Sequence, residues 1–312
     1  TDIQQAYWLG RMGSFALGNT SGHWYREIGF SSLNVERLEQ ALNQLITRQG
    51  MLRARIIDGK QQILPTAPHY KILLHDLSGV TPEKADEILK SIRSKLEHQI
   101  IDLVGGPCFD IQVTHLANCD WRLHLSFDLM FVDAGSVPLM LSELEILYQD
   151  PSGSTLSPLR MNFRDYMRAL VLTRSTEERT NAKSYWMNRI SDFPTSGPEL
   201  PTKCQLSSIT QPAFNRCSTF IEEEIAARIY ALAKLWDVTP TCLLVSVFAN
   251  VLEKWCQSSN FAINVTVFDR QPLHPDVQNL IGDFTATLLL ENKERDDSIA
   301  SLSNNNNYYN KA

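Results

Sequence analysis

The sequence is poor in cysteine, and its cysteines follow neither a disulfide pattern nor a metal-binding pattern. Its 312 residues include 6 cysteines, and no two are spaced C-x-x-C. Disulfide-stabilised domains and thiolate zinc sites need denser or paired cysteines. The 7 histidines are scattered and form no H-E-x-x-H segment, which is the spacing a histidine metal site needs. We therefore expect reduced thiols and no metal site.

Long apolar runs, a signal sequence and an excess of positive charge are also missing. No apolar run approaches the ~20 residues that cross a bilayer, and the first residues lack the basic start and apolar stretch of a secretory signal. With 29 basic and 35 acidic side chains the net charge is −6, whereas nucleic-acid-binding surfaces need clustered Lys and Arg. Neither G-x-x-x-x-G-K-[ST] nor G-x-G-x-x-G occurs, so no bound nucleotide is predicted. These absences predict a cytoplasmic protein without a membrane or nucleic-acid partner.

The composition that remains is that of an ordinary globular protein, in a chain longer than a typical single domain. Hydrophobic residues make up 43% and charged residues 21%, and the length indicates two lobes, each able to bury a core. Turn-forming and small polar residues concentrate at 150–158, where we predict a lobe boundary. We assign an N-terminal lobe to 1–150, a second lobe to 151–295 and a low-complexity, disordered tail to 296–312. The first residue is not Met, which suggests that the chain is cut from something larger.

Four helix starts are indicated by a capping residue or by proline at the first helical position. They are Asn34, Thr81-Pro82, Ser175 with Glu178, and Thr239-Pro240. Apolar residues at helical spacing follow the first and the last of these starts. The first predicted face is Leu38, Ala41, Leu42, Leu45 and Ile46, and the last is Leu243, Leu244, Val247, Val251 and Trp255.

Two strands are predicted between the helices. The segment 122–128 alternates and places Leu123, Leu125 and Phe127 on one face. The segment 261–268 is rich in β-branched residues and is predicted as a buried strand. Strands that alternate with helices indicate a layered α/β fold.

The most informative stretch follows the first predicted strand and carries two carboxylates and a hydroxyl. Asp128 ends that strand, and Asp133 and Ser136 precede an apolar helix that starts at residue 137. Ser136 is a natural N-cap, and the helix dipole favours the charged form of Asp133. From residue types alone, a capped helix with a structural ion pair is favoured over a cleft lined by acid–base groups.

This stretch resembles the D-x-x-x-x-D-x-x-S signature of the heterocyclization domains of nonribosomal peptide synthetases, which are variants of condensation domains. Asp128, Asp133 and Ser136 match its three fixed positions. Further segments resemble family motifs in the same order along the chain, although Gln49-Gly50 replaces the usual His-Pro-like pair. These segments are 2–11 (Q-x-A-Y-x-x-G-R), 51–55 (M-L-R-A), 163–166 with 185–186 (D-Y and Y-W), 268–276 (F-N-R-x-P-x-H-P-x) and 279–285 (N-x-x-G-D-F-T).

The resemblance implies a two-lobed α/β fold similar to chloramphenicol acetyltransferase, whose related lobes meet at a V-shaped cleft. It implies that upstream and downstream peptidyl carrier proteins dock at the two mouths of a tunnel. It also implies an adenylation domain in the same megasynthase. Each carrier delivers its substrate as a thioester on a phosphopantetheine arm, so no cofactor is expected to bind the chain directly.

The implied reaction has two steps. The amine of a carrier-bound Cys, Ser or Thr attacks the donor thioester to form an amide. The side-chain thiol or hydroxyl then closes a thiazoline or oxazoline ring with loss of water. The resemblance makes Asp128, Asp133 and Ser136 the candidate catalytic residues, and Arg53 the partner of one aspartate in a structural ion pair. Whether the aspartates organise the site or take part in the chemistry stays open, because positioned carboxylates suit both roles.

Four other side chains near these motifs receive structural interpretations. His124 is interpreted as a hydrogen-bonded histidine of the strand rather than as a base, and His274 as a turn residue. Arg11 and Arg270 are interpreted as solvated arginines, with contact to carrier phosphates as the alternative.

Two family segments are absent from the chain. Sequences like P-V-V-F-T-S and S-Q-T-P-Q-V-W-L-D, whose Thr and Asp the family implicates in cyclodehydration, do not follow residue 285. We therefore expect an incomplete second lobe and a chain that by itself does not form the ring. A catalytically incomplete, carrier-binding remnant stays open as an alternative. So does a plain amide-forming condensation domain, although its H-H-x-x-x-D-G motif is absent.

Overall fold

The computed structural model describes residues 1–13, 17–173, 176–210, 212, 214–215 and 217–292. The chain divides into two compact units. The first comprises Thr1–Ser175, Ile209–Ala213 and Val267–Ala286, and the second comprises Thr176–Ser208, Phe214–Thr266 and Thr287–Ala312. The lobe boundary at residue 150 stays a prediction. The predicted tail at 296–312 and the Ser175 cap lie outside the described residues.

Helices and strands are both present in the described part of the chain, in keeping with the predicted α/β class, but they do not alternate throughout, because five α-helices follow one another between residues 136 and 255. The helices are α1 (Asp2–Gly10), α2 (Val35–Arg48), α3 (Pro82–Glu97), α4 (Ser136–Gln149), α5 (Phe163–Thr173), α6 (Thr176–Arg189), α7 (Glu223–Leu235) and α8 (Pro240–Trp255). The strands are β1 (His23–Phe30), β2 (Ala54–Ile57), β3 (Lys60–Ile63), β4 (Leu73–Asp76), β5 (Phe109–His115), β6 (Trp121–Asp128), β7 (Phe261–Phe268) and β8 (Thr285–Asn292).

A four-stranded sheet in the order β1-β6-β5-β4 organises the first unit. Strand β6 pairs antiparallel with both of its neighbours, and β4 pairs parallel with β5. The register sets Asp128, at the end of β6, opposite His23 of β1. Because β6 lies inside the sheet, the loop that follows it emerges from the middle of the unit.

The apolar face of β6 and the apolar faces of α2 and α4 form one core. Leu123, Leu125 and Phe127 are buried as predicted. Helix α2 starts as predicted, since the Asn34 Oδ1 accepts a hydrogen bond from the Arg37 N–H at 2.9 Å. Its five predicted core residues are all buried, and α4 adds four apolar residues to the same cluster. These are Val137, Met140, Leu144 and Leu147.

The opposite face of β6 is also buried, although its residues are polar. His124 lies there, and its two ring nitrogens lie 2.9 Å from the Tyr25 hydroxyl and 2.9 Å from the Thr114 hydroxyl. Burial lowers the pKa of His124 to about 4, so this imidazole is neutral near pH 7. The structural interpretation of His124 is therefore confirmed.

The second unit buries less of its apolar surface than the sequence suggests. Helix α8 starts as predicted, with the Thr239 hydroxyl accepting a hydrogen bond from the Cys242 N–H at 3.1 Å. Of its predicted apolar face only Leu243 is buried, and the other four residues are exposed. Strand β7 was predicted to be buried, but only Phe261 is buried in it. The prediction is wrong because the described residues of this unit place no second layer over these faces.

Within the described residues, no single helix has the length and apolar composition of a membrane span. The pair α7 and α8 meets that criterion only when taken together, and it is bent by 101° at the break between the helices.

Gly282 provides a test of how tightly the first unit is packed. A Cβ atom at this position would overlap the ring of Phe163 and lie 3.1 Å from the Phe284 ring. Because both rings belong to the core, we expect Gly282→Ala to lower the free energy of unfolding by about 1–3 kcal/mol. Urea denaturation measures this change. Gly79→Ala is the matched control, since a Cβ there meets no atom within 4 Å, and equal losses from the two variants would contradict the packing.

Candidate active site

The two aspartates and the serine of the motif lie on the loop between β6 and α4. Asp128 is the last residue of β6, and Ser136 is the first residue of α4. The predicted cap is wrong, because Gly135 is the N-cap and Ser136 makes no capping hydrogen bond with its side chain. Instead the Asp133 Oδ1 accepts a hydrogen bond from the Ser136 N–H at 2.6 Å. Asp133 therefore does the capping, and the Ser136 hydroxyl is left for other partners.

Asp133 and Ser136 both bind the backbone of residues 282–284. The Asp133 Oδ2 accepts from the Phe284 N–H at 2.9 Å, and the Asp133 N–H donates to the Gly282 carbonyl at 3.0 Å. The Ser136 hydroxyl donates to the same carbonyl at 3.0 Å and accepts from the Gly282 N–H at 3.2 Å. Asp133 is 2% exposed and Ser136 is 0% exposed. Their polar atoms are used within the protein, which favours the organising role over direct chemistry.

Asp128 is fully buried and forms an ion pair with Arg11. Its Oδ1 also accepts a hydrogen bond from the Met130 N–H at 3.0 Å, while Arg11 donates to the Ile101 carbonyl at 3.0 Å. Burial raises the pKa of Asp128, and the Arg11 guanidinium opposes that rise. Arg11 therefore lies inside the unit as a partner of the motif, rather than being solvated or bound to a carrier phosphate.

The predicted ion pair of Arg53 is wrong. Arg53 donates to the carbonyls of Ile46 and Thr47 and, at 3.0 Å, to that of Leu64. The first two carbonyls belong to the last turn of α2, whose C-terminal carbonyls lack helical partners and attract a cation. Within the described residues Arg53 forms no ion pair with either aspartate, because Arg11 already occupies Asp128 and backbone N–H groups occupy Asp133.

The buried side chain of Gln49 and the partly buried side chain of Arg270 hold the segment 277–284 in place. The Arg270 guanidinium donates to the carbonyls of Val277 and Leu280 at 2.8 and 2.7 Å and to the Ser136 hydroxyl at 3.1 Å. It also stacks over the Phe284 ring at 3.8 Å from the centroid. Gln49 accepts from the Ile281 N–H at 3.1 Å. Arg270 is thus neither a solvated arginine nor a phosphate contact.

Asp283 is the carboxylate whose role the sequence did not suggest. It is fully buried, and its Oδ1 accepts a hydrogen bond from the Thr285 N–H at 3.1 Å. The Thr285 side chain also donates a hydrogen bond to the carboxylate, and the Thr1 hydroxyl donates to its Oδ2 at the long distance of 3.5 Å. Burial raises the pKa of Asp283 to about 6, and the nearby charge of Asp133 adds to the rise. In the sequence, Asp283 stood out as the fixed Asp of the N-x-x-G-D-F-T motif, but the motif assigned it no chemical role.

One face of helix α1 lies over the motif loop. Its residue Gln4 donates to the Met130 carbonyl at 2.6 Å, and Arg11, just beyond its end, pairs with Asp128. Tyr7 lies between them at the i+3 position, on the same face. Burial raises the pKa of the half-buried Tyr7 to about 12, and the charges of the nearby site carboxylates add to the rise. Gln4, Tyr7 and Arg11 are the fixed polar positions of Q-x-A-Y-x-x-G-R, so one helix face accounts for all three.

The fold and this motif loop belong to a known class of protein. Residues 19–304 match the family of condensation domains, and the chain belongs to that family. The predicted resemblance to this superfamily and the predicted α/β fold class are confirmed.

Individual relatives refine this assignment. The chain is 34% identical over 291 residues to pyochelin synthetase PchE of Pseudomonas aeruginosa. It is 33% identical over 294 residues to phenyloxazoline synthase MbtB of Mycobacterium tuberculosis. Each alignment covers 93% of the chain and 20% of the relative. The chain thus spans about a fifth of the length of these curated relatives.

A solved structure matches nearly all of the chain. It is the crystallised cyclization-docking bidomain of the EpoB nonribosomal peptide synthetase from Sorangium cellulosum, with a TM-score of 0.87 and 32% identity. The match covers 97% of this chain and 60% of the bidomain.

The Arg11–Asp128 pair gives a prediction about stability. Arg11→Met leaves a buried carboxylate without its cation, so we expect a loss of about 3–5 kcal/mol in the free energy of unfolding. Adding Asp128→Asn to that variant removes the unpaired charge and should recover part of the loss. Chemical denaturation of the single and double variants measures both the loss of stability and its partial recovery. Arg26→Met, at an exposed position of β1, is the control. A loss no larger than that of the control would contradict the buried pair.

The raised pKa of Asp283 gives a prediction about pH. The folded state binds the Asp283 proton more tightly than the unfolded chain does, because burial disfavours the carboxylate. The stability that this group contributes is full below about pH 4, where the unfolded chain is protonated too, and it is lost as pH rises through about 6.

Comparing wild type with Asp283→Asn isolates this contribution from those of other carboxyl groups. We expect the difference in the free energy of unfolding between the two proteins to change by about 3 kcal/mol between pH 4 and pH 7, with wild type losing more. Urea titrations at fixed pH values measure it. A difference that stays constant with pH would show that Asp283 titrates at its ordinary value.

Proposed function

We propose that the chain is a heterocyclization domain of a nonribosomal peptide synthetase. It joins a carrier-bound donor to a carrier-bound Cys, Ser or Thr and then closes a thiazoline or oxazoline ring. The observation that carries this proposal is the burial of the D-x-x-x-x-D-x-x-S loop against the G-D-F-T segment, through Asp133 and Ser136. Relatives named as a pyochelin synthetase, a phenyloxazoline synthase and a cyclization bidomain support it.

The first step moves a proton as well as an acyl group. The acceptor amine attacks the donor thioester, so that a C–N bond forms and the C–S bond to the donor arm breaks. The attacking nitrogen loses a proton, and the departing thiolate takes one up. A positioned base accelerates such proton transfers, typically by 10²–10⁴-fold.

No histidine stands at the motif positions where a condensation domain carries its H-H pair. Aligning the Asp of H-H-x-x-x-D-G with Asp133 places that pair at residues 128–129, which hold Asp and Leu here. His124 on the preceding strand has a hydroxyl at each ring nitrogen. The acid–base groups near the motif are carboxylates, the Tyr7 phenol and His23, whose pKa burial lowers, so proton transfer in the proposed function falls to this set.

The second step closes the ring. The thiol or hydroxyl of the acceptor adds to the new amide carbonyl, and the carbonyl oxygen then leaves as water after receiving protons. In the proposed function Asp133 and Ser136 act by positioning, since their polar atoms already have partners in the protein. Asp128 and Arg11 fix the other end of the loop.

The proposal includes partners. The donor and the acceptor arrive on upstream and downstream peptidyl carrier proteins, each through a phosphopantetheine arm. An adenylation domain of the same megasynthase loads the acceptor.

Product mass tests the proposed function. The purified protein receives a donor-loaded carrier and a cysteine-loaded carrier, and intact-protein mass spectrometry follows the acceptor carrier. We expect a mass gain of the donor acyl group. The loss of one water should follow only when the protein also carries the two cyclodehydration segments that are absent from this sequence. Asp133→Asn should slow product formation about 10²-fold, because it displaces the 282–284 backbone.

Asp86→Asn is the control for this assay, since Asp86 is exposed on α3 and pairs only with Lys90 at i+4. From a protein that also carries the two absent segments, formation of the amide without loss of water would identify an amide-forming condensation domain instead. Failure of wild type to acylate any Cys-, Ser- or Thr-loaded carrier would overturn the proposed function.

A further inference from the structure

The hydroxyl of Tyr7 is the polar group of the site that the protein leaves open. It has no hydrogen-bond partner among the described residues, and Tyr7 is half-buried. Its ring packs closely against Gly22, since a Cβ atom added to that glycine would lie 3.0 Å from the ring carbon Cε1. On α1, Gln4 and Arg11 contact the motif loop on either side of it. The protein therefore holds the phenol at the motif loop without giving its hydroxyl a partner.

Asp283 is the carboxylate of the site that can still accept a further hydrogen bond. Asp128 binds Arg11 and the Met130 N–H, whereas Asp133 accepts from two backbone N–H groups. Among the described residues the Asp283 Oδ2 has the long contact to the Thr1 hydroxyl, and the Thr285 side chain also donates a hydrogen bond to this carboxylate. Thr1 is the N-cap of α1, so the first turn of the Tyr7 helix touches this oxygen.

The backbone on both sides of Asp283 is held by the motif. Gly282 binds Asp133 and Ser136, and Phe284 binds Asp133. The aspartate and the serine of the signature therefore place the Asp283 side chain, although they do not contact it through their own polar atoms. This placement explains how fully paired motif residues serve a reaction.

We propose that Tyr7 and Asp283 form a proton relay that deprotonates the acceptor amine during amide formation. This inference rests on the proposed function. The attacking nitrogen forms the C–N bond and passes its proton to the Tyr7 oxygen, while the Tyr7 hydroxyl proton moves through one water to the Asp283 Oδ2. The C–S bond breaks, and the departing thiolate takes the proton back from Asp283 through the same groups. Tyr7 and Asp283 thus return to their starting states with no co-reactant.

The charges around the relay suit a developing ammonium. Burial raises the pKa of Tyr7 to about 12, and the charges of Asp283, Asp128 and Asp133 add to the rise. Arg11 offsets the charge of Asp128. A tyrosine with that pKa keeps its proton near pH 7 and passes it on only when it receives another. Asp283, with a pKa of about 6, is mostly ionised at that pH and accepts the proton. The groups that face Asp283 are Tyr7, Asp133 and the Thr1 hydroxyl and amino group.

The experiment is a single-turnover measurement of amide formation between pH 5 and pH 8, with the carriers described above. We expect Tyr7→Phe to slow this step at least 10-fold and to leave the thermal midpoint and the affinity for the acceptor carrier unchanged. In wild type the rate should rise through about pH 6, and Asp283→Asn should remove that rise. The controls are Tyr148→Phe on α4, whose hydroxyl accepts from the Asn34 N–H far from the motif, and Asp86→Asn.

A second variant keeps the shape of the phenol. Tyr7→3,5-difluorotyrosine lowers the pKa of the hydroxyl, so in measurements extended above pH 8 the rate should begin to fall at a lower pH than in wild type. A Tyr7→Phe protein that forms the amide at the wild-type rate, or an Asp283→Asn protein that keeps the rise near pH 6, would overturn the relay. In both cases wild type still forms product, so the proposed function stands. Absence of product from wild type overturns the function and the relay together.

Discussion

The hydrogen bonds between the motif loop and the backbone of residues 282–284 are the constraint on which the site depends. They join positions 146–151 residues apart in the chain, and every participating group is buried. A buried carboxylate or N–H without a partner costs about 1–3 kcal/mol or more, so the groups stabilise one another only as a complete set. Arg270 and Gln49 complete it by occupying the carbonyls and N–H groups that remain at 277–281. The segment that carries Asp283 is thereby held to one conformation.

The three buried carboxylates of the site differ in how far the protein compensates their charge. Asp128 has a guanidinium and a backbone N–H, and Asp133 has two backbone N–H groups. Asp283 has the N–H and the side chain of Thr285 and a distant Thr1 hydroxyl but, among the described residues, no cation of a side chain, and burial raises its pKa to about 6. Because the protein compensates the three negative charges unequally, Asp128 and Asp133 act as structural carboxylates, whereas Asp283 is able to exchange a proton near neutral pH.

Helix α1 joins this charge pattern to the surface of the unit. Arg11 neutralises Asp128, and Gln4 binds the Met130 carbonyl of the loop. Tyr7 lies between them, and its hydroxyl has no hydrogen-bond partner within the part of the chain that the structure describes. A single short helix therefore supplies both a structural cation and the proposed reactive phenol. Its residues are not adjacent to the motif in sequence, and only the packing of α1 on the loop makes them part of the site.

The sequence by itself determined the features that depend on neighbours along the chain. Asn34 and Thr239 start helices because the bonds that cap them are local, and the alternation at 122–128 specifies a strand whose end carries Asp128. The family was also indicated by the sequence, because its motifs occur in the same order along the chain as in the family. The tertiary structure decided that Arg11 rather than Arg53 pairs with Asp128, that the Asp133 side chain accepts the first N–H of α4, and that burial raises the pKa of Asp283 to about 6. It also left most of the apolar face of α8 exposed. Ion pairing and burial depend on which distant segments come together, and a local pattern of residues does not contain that information.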